Sequence, residues 1–476
     1  MLKKELLAEV LDHALHKGGD FAEIYIEEKQ ASNVFCEDNR IEKINSGREK
    51  GAGIRVVKAG NTAYVYTNDL SRDGLLKAAN VAGHALSGEA KGEKKELSLI
   101  TREPEFELDY KRLPDAVSFD EKIEQVLRAN QAARNVGEEI RQVTIAAGDI
   151  HKEIQIANTD GDYVEDERVR VRLIASTVAY REGLIQTGYE SAGGVLGWEI
   201  LEKVSFEDLG EKAARLSLKM LDAKSAPAGR MPVVMAAEAG GTMVHEACGH
   251  GLEADLVQKG LSVYKNKMGE KVAADEVTVI DDATIGNKYG TYRFDDEGTI
   301  GQKTVLIKDG YLTGYMYDRL TAAKEGVNST GNGRRESYQH KPIPRMSNTF
   351  IASGSSDPEE IIKSTPKGLL VKKMGGGQVN TTNGDFVFEV QEGYIIENGE
   401  IKYPVRGATL SGNGPVALAQ IDRVGNDMGF AIGTCGKDGQ GVPVADAQPT
   451  IRIKQLTVGG TSHDDEGLQI KRIRRK

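Results

Sequence analysis

FVFEVQEGYIIENGEI, residues 386–401, decides how the C-terminal half of this 476-residue chain is read. Phe386, Phe388 and Val390 fall on alternate positions, the period-2 signature of a half-buried strand. A second apolar run follows at 393–396. Asn398-Gly399 then sits between apolar alternating segments, and it is the pair that a tight hairpin turn demands. Asp309-Gly310 repeats the device after 303–308 (KTVLIK), and further strands are expected at 232–235 and 450–455. Glycine supplies 55 of 476 residues, about 12 % against a usual value of roughly 7 %, while Pro is only 12. Much Gly with little Pro marks the turns and bulges of extended sheet. Residues 230–476 therefore read as one large Gly-rich, mainly β C-terminal domain.

Toward the N-terminus the period changes. Leu2, Leu6, Val10, Leu11, Ala14 and Leu15 recur at helical spacing. Short strands are expected at 22–28, 33–37, 40–44, 52–57 and 62–66, punctuated by Glu37-Asp38-Asn39, Asn45-Ser46-Gly47 and Ala59-Gly60-Asn61. A helix from Ser71, an N-cap candidate, to Leu86 closes an α+β domain over 1–86. Residues 87–98 (SGEAKGEKKELS) read as a linker. A middle α+β domain over 105–224 holds a helix capped by Ser118 and running through Val136. In the same domain 142–145 and 153–156 alternate like paired strands, 168–178 is a strand, and 206–221 a helix. Residues 224–229 (KSAPAG) read as a second linker. The fold class is α+β: two N-terminal units with antiparallel sheets, then the β-rich domain carrying a distorted active-site helix.

Composition removes several functions. Lys+Arg 62 against Asp+Glu 72 leaves −10, not the basic footprint of a nucleic-acid binder. The closing KRIRRK is too short and isolated for a nucleic-acid arm and reads as a solvated tail. Three Cys exclude a disulfide-stapled scaffold. No run of about 18 apolar residues suggests a membrane span, and charged residues interrupt the N-terminal helix too early for a signal peptide. A cytoplasmic protein is expected.

Chemistry concentrates at 236–255, AAEAGGTMVHEACGHGLEAD. His245-Glu246-Ala247-Cys248-Gly249-His250 is an H-E-x-x-x-H pattern, one residue longer than the zinc-protease H-E-x-x-H. Each residue of a regular α-helix turns about 100°, so five steps leave two side chains about 140° apart. Such imidazoles cannot share a metal unless one residue is looped out, as in a π-bulge. A wound or broken helix is therefore expected at Cys248–Gly251, eased by Gly249. With two His ligands on Zn²⁺ and Glu246 moving the proton, the site would be that of a peptide-bond hydrolase. A catalytic zinc needs a third protein ligand, and the residues offer Cys248, Glu253, Asp255 or the remote Cys435, with Gly433 and Gly436 to either side, where Lys437 could favour a thiolate. Tyr338, His340 and Arg345 are oxyanion-stabilising candidates by type alone.

MVHEACGHGLEADL (243–256), GNGRRESYQHKPIPRMSNTFI (331–351), GGGQVNTTNGDFVFEVQEGYIIENGEI (375–401) and GTCGKDGQGVPV (433–444) together resemble the TldD/PmbA family of metalloproteases. The resemblance spans almost the whole chain and is strongest over 232–453. The HExxxH residues resemble the TldD-like branch, since PmbA-like (TldE) members lack them. It implies zinc held by His245, His250 and Cys435, with Glu246 as catalytic acid and base, which favours Cys435 over Cys248. It also implies a cytoplasmic dimer with a PmbA/TldE-like paralogue, or a homodimer, whose substrates are peptides or unfolded segments taken as extended strands. The rival readings are an inactive binding or scaffold subunit of a protease complex, and a gyrase-associated regulator, the latter after an older family label.

Overall fold

The computed structural model describes residues 2–86 and 97–460 of the chain. Most of the expected linker at 87–98 and the whole basic tail lie outside the described residues. The N-terminal region begins with helix α1 (Lys4–Leu15) and strands β1 (Phe21–Glu37), β2 (Arg40–Lys58) and β3 (Asn61–Thr67). Helix α2 (Arg72–Ala85), strand β4 (Ile100–Thr101), helix α3 (Phe119–Arg134) and strands β5 (Ile140–Asn158), β6 (Asp162–Arg181) and β7 (Leu184–Gly194) follow, then helix α4 (Phe206–Leu221). Ser71, Ser118 and Ser205 cap α2, α3 and α4, each hydroxyl accepting from the N–H three residues on.

The seven strands form one sheet in the order β3-β2-β1-β5-β6-β4, with β7 also on β6. Residues 1–86 and 105–224 thus share a sheet, joined where β1 runs antiparallel to β5. Leu7, Leu11, Ile24, Ile54 and Leu75 make one core under α1 and α2, and Val126, Val143, Leu173, Phe206 and Trp198 another under α3 and α4.

Two expectations change in detail. The segments at 33–37, 40–44 and 52–57 are pieces of long strands, and Asn45-Ser46-Gly47 is no turn: Asn45 pairs with Asn33 and Gly47 with Ala31. The partner strand outweighs local turn preference there. Residues 142–145 and 153–156 belong to the single strand β5 and pair with β1 and β6, not with each other.

The described C-terminal region holds an eight-stranded and a six-stranded sheet, besides a two-stranded pairing of Gly333–Arg334 with Ile343–Pro344. Five strands, Lys367–Asn380, Gly229–Met235, Ile451–Gly459, Thr409–Asn413 and Asp385–Glu397, are hydrogen-bonded in a ring, because the first pairs back onto the last. Closure removes the free edges that extended strands otherwise expose. Asn398 (φ 53°) and Gly399 (φ 75°) make the left-handed turn from Asp385–Glu397 into Glu400–Arg406. The second sheet has six strands and ends on the antiparallel hairpin Gly429–Lys437 and Gln440–Gln448. Val233, Phe388, Ile453 and Leu410 from the ring share one core with Met243, Val244 and Cys248, so the helical segment at 242–252 is wedged beside the barrel.

Candidate metal centre

The helix of the HExxxH motif starts at Thr242–Val244 in α form, widens to a π turn at His245–Gly249, and tightens to a 3-10 turn at His250–Leu252. The distortion begins three residues earlier than expected. His250 N–H donates to the carbonyl of His245, a bond that spans five steps along the chain and so brings side chains five apart onto one face. The imidazole centroids lie 4.9 Å apart with their planes at 86°.

Neighbours take up what the widened turn releases. Tyr264 donates its hydroxyl to the Ala247 carbonyl at 3.1 Å. Gly414 lets the chain pass so close that a Cβ would stand 2.1 Å from that same oxygen. Glycine at 414 is a steric requirement of the π turn.

Cys435 arrives from strand Gly429–Lys437, its Sγ 3.4 Å from His250 Nε2. One donor atom each from His245, His250 and Cys435 all lie within 4.8 Å of one another. Both Nδ1 atoms are already engaged: His245 with Asp446 at 2.8 Å, His250 with Glu253 at 3.1 Å. Backing carboxylates of this kind fix the ring and leave Nε2 for a metal. Two imidazoles and a thiolate suit zinc, and the site sits in a cleft of about 460 Å³ that could admit a water and a substrate.

In the metal-free site the charges hold one another, and a metal ion would take the place of the imidazole protons. Burial disfavours a thiolate, yet the two imidazoles hold the Cys435 thiol down at about 5. Burial also opposes imidazolium, but Asp446 keeps His245 well above its usual range, and Glu253 keeps His250 up at about 9. Glu253, though buried, is drawn down to about 2 by Lys437 and His250. Glu246 lines the cleft, and burial raises its carboxyl above the ordinary value, the direction a general base needs.

Among the other candidates, Cys248 points away: its thiol donates to the Val244 carbonyl, and burial pushes it up to about 12. Glu253 and Asp255 serve Lys437 instead of a metal, with Lys437 Nζ 3.0 Å from Glu253 and 2.6 Å from Asp255. Arg345 donates to the backbone carbonyls of Cys435 and Gln440, while His340 meets Ser337 and Tyr338 packs edge-on against Tyr66. None of these last three lines the cleft. Asp446 carries no signal in the sequence that marks it out. It sits in the alternation of VPVADAQ and meets His245 across 201 positions of the chain, from the strand that pairs with that of Cys435.

Comparison with known proteins gives three consecutive family matches, described as PmbA/TldA metallopeptidase domain 1 (residues 22–86), central domain (112–221) and C-terminal domain (228–460). The "Metalloprotease TldD homolog" of Haemophilus influenzae is 36% identical over 97% of both chains. That of Buchnera aphidicola from Acyrthosiphon pisum is 36% identical over 93% of both. A "Zinc metalloprotease TldD homolog" of Saccharolobus solfataricus is 28% identical over 93% of this chain and 97% of its own. A solved structure from Thermotoga maritima, titled a putative modulator of a DNA gyrase, superposes with a TM-score of 0.79 at 24% identity, covering 96% of this chain and 100% of that one. The last likeness concerns the fold alone.

Proposed function

This chain belongs to the PmbA/TldD metallopeptidase family, and on that premise we propose that it is a zinc-dependent peptidase acting on peptides or unfolded segments. The observation that carries the reading is the convergence of His245, His250 and Cys435 donors within 4.8 Å, with Glu246 on the same cleft. His245, His250 and Cys435 would hold the ion. When bound, zinc polarises a carbonyl and lowers the pKa of a coordinated water to about 7. Glu246 accepts the proton of the attacking water and returns it to the leaving amine. Asp446 and Glu253 keep the two imidazoles turned inward. A zinc metalloprotease name among the relatives and the mixed sulfur and nitrogen donor set support zinc over harder cations.

The active assembly in this reading is cytoplasmic and pairs the chain with a PmbA/TldE-like paralogue or a second copy. Glu246→Gln tests the chemistry. Peptide cleavage should fall by about 10²–10⁴-fold while one zinc per chain is retained. Retained cleavage at the wild-type rate would remove Glu246 from the reaction, and a chain that never holds zinc would leave only a binding subunit.

A further inference from the structure

Lys437 lies two residues beyond Cys435 on the same strand, and its side chain is 7% exposed. An ammonium has three N–H donors. All three are used: Glu253 at 3.0 Å, Asp255 at 2.6 Å and the Pro344 carbonyl at 3.0 Å. No donor is left for a substrate or an oxyanion, although Lys437 borders the cleft. Glu253 in turn is fully buried and meets His250 Nδ1 with the same oxygen that receives Lys437. Glu253 and Asp255 follow His250 on the site-helix segment, while Lys437 follows Cys435 on the hairpin. One ammonium therefore ties together the two chain segments that carry two of the three metal donors. The other imidazole reaches the same hairpin directly, through Asp446, and among the described residues no lysine is paired with that carboxylate.

Resting on the zinc reading above, we propose that Lys437 is a positioning residue: with Glu253 and Asp255 it forms a clasp that sets the His250 to Cys435 separation before the metal arrives. Two physical effects oppose each other on its removal, which makes the sign decisive. A lysine that were merely a nearby positive charge would repel a dication, so its loss would tighten zinc binding. A lysine that pre-assembles the donors lowers the cost of ordering them, so its loss weakens zinc binding.

The test measures zinc affinity of the full chain by competition with a chelating dye, for wild type, Lys437→Met and the charge-balanced pair Lys437→Met with Asp255→Asn. Thermal unfolding of the metal-free proteins checks that each is folded. Both variants should bind zinc about 10–100-fold more weakly than wild type. In the cobalt-loaded variants the thiolate-to-metal absorption band should shift or lose intensity. The double variant removes one of the two carboxylates that Lys437→Met alone would deprive of their ammonium partner, so it carries the test if the single variant does not fold. Unchanged or tighter zinc binding in a folded variant overturns the clasp while leaving the metal centre standing. A wild-type chain that binds no zinc overturns both.

Discussion

Asp446 meets His245 Nδ1 at 2.8 Å and also borders the cleft, so it both orients the ring and faces whatever enters. Asp446→Asn keeps the shape but replaces the carboxylate acceptor by an amide, and the hydrogen bond that orients His245 weakens. Zinc affinity should fall by about 10–100-fold, read by chelator competition, with thermal stability of the metal-free chain little changed. Equal affinity would show that His245 is held by its packing alone. At this scale the sequence is unevenly legible. His245, Glu246 and His250 announce themselves by proximity, and Glu253 three residues after His250 falls within local reach. Asp446 has no local signal, because its meaning comes from contact with a helical residue 201 positions away in the chain. Lys437 reads from the sequence as a partner for the thiolate. Its charge is instead spent on Glu253 and Asp255, and the two imidazoles hold the thiol down.

Among the elements, the π turn at His245–Gly249 is the one on which the site's geometry depends, and glycines beside it have unlike duties. A Cβ at Gly414 would stand 2.1 Å from the Ala247 carbonyl oxygen, and backbone cannot step aside as a side-chain tip can. Gly414→Ala should cost about 1–3 kcal/mol in denaturant unfolding and loosen zinc binding, because the turn must move. Gly436, the immediate neighbour of Cys435, is the control: a Cβ there meets nothing within 4 Å. Gly436→Ala should leave both quantities near wild type. If both substitutions behave alike, close approach at 414 does not hold the turn. The need for a distorted helix follows from spacing, since five α-helical steps rotate one side chain about 140° away from the other. Where the extra residue is absorbed does not, because the Tyr264 hydroxyl and Gly414 that fix it lie elsewhere in the sequence.

Across the whole molecule, the N-terminal sheet meets the C-terminal region through buried charge. Glu23 on β1 and Arg55 on β2 face Glu297 and Arg335, with Arg335 2.6 Å and Arg55 2.7 Å from Glu23. Strand periodicity marks Glu23 and Arg55 as ordinary alternating residues, and nothing local tells that their face is covered by a segment more than 240 positions away. The pairing of β1 with β5 escapes a local reading for the same reason. The seam has a pH signature. Burial raises the Glu297 carboxyl to about 7, against the pull of Arg55 and with the push of Asp318 and Glu23. In the unfolded chain the same group titrates near 4.5. Between those values the folded state holds the extra proton, so stability falls as pH rises. The contribution is full below about 4.5 and lost as pH passes through about 7. Glu297→Gln cannot titrate, so its unfolding free energy should decline less than that of wild type between about pH 5 and about pH 8, a window that brackets the shifted group. Urea unfolding at both values, on metal-free protein, measures the difference. Parallel profiles would mean that Arg55 holds Glu297 ionised throughout, and that the seam is an ion pair at every pH at which the fold persists.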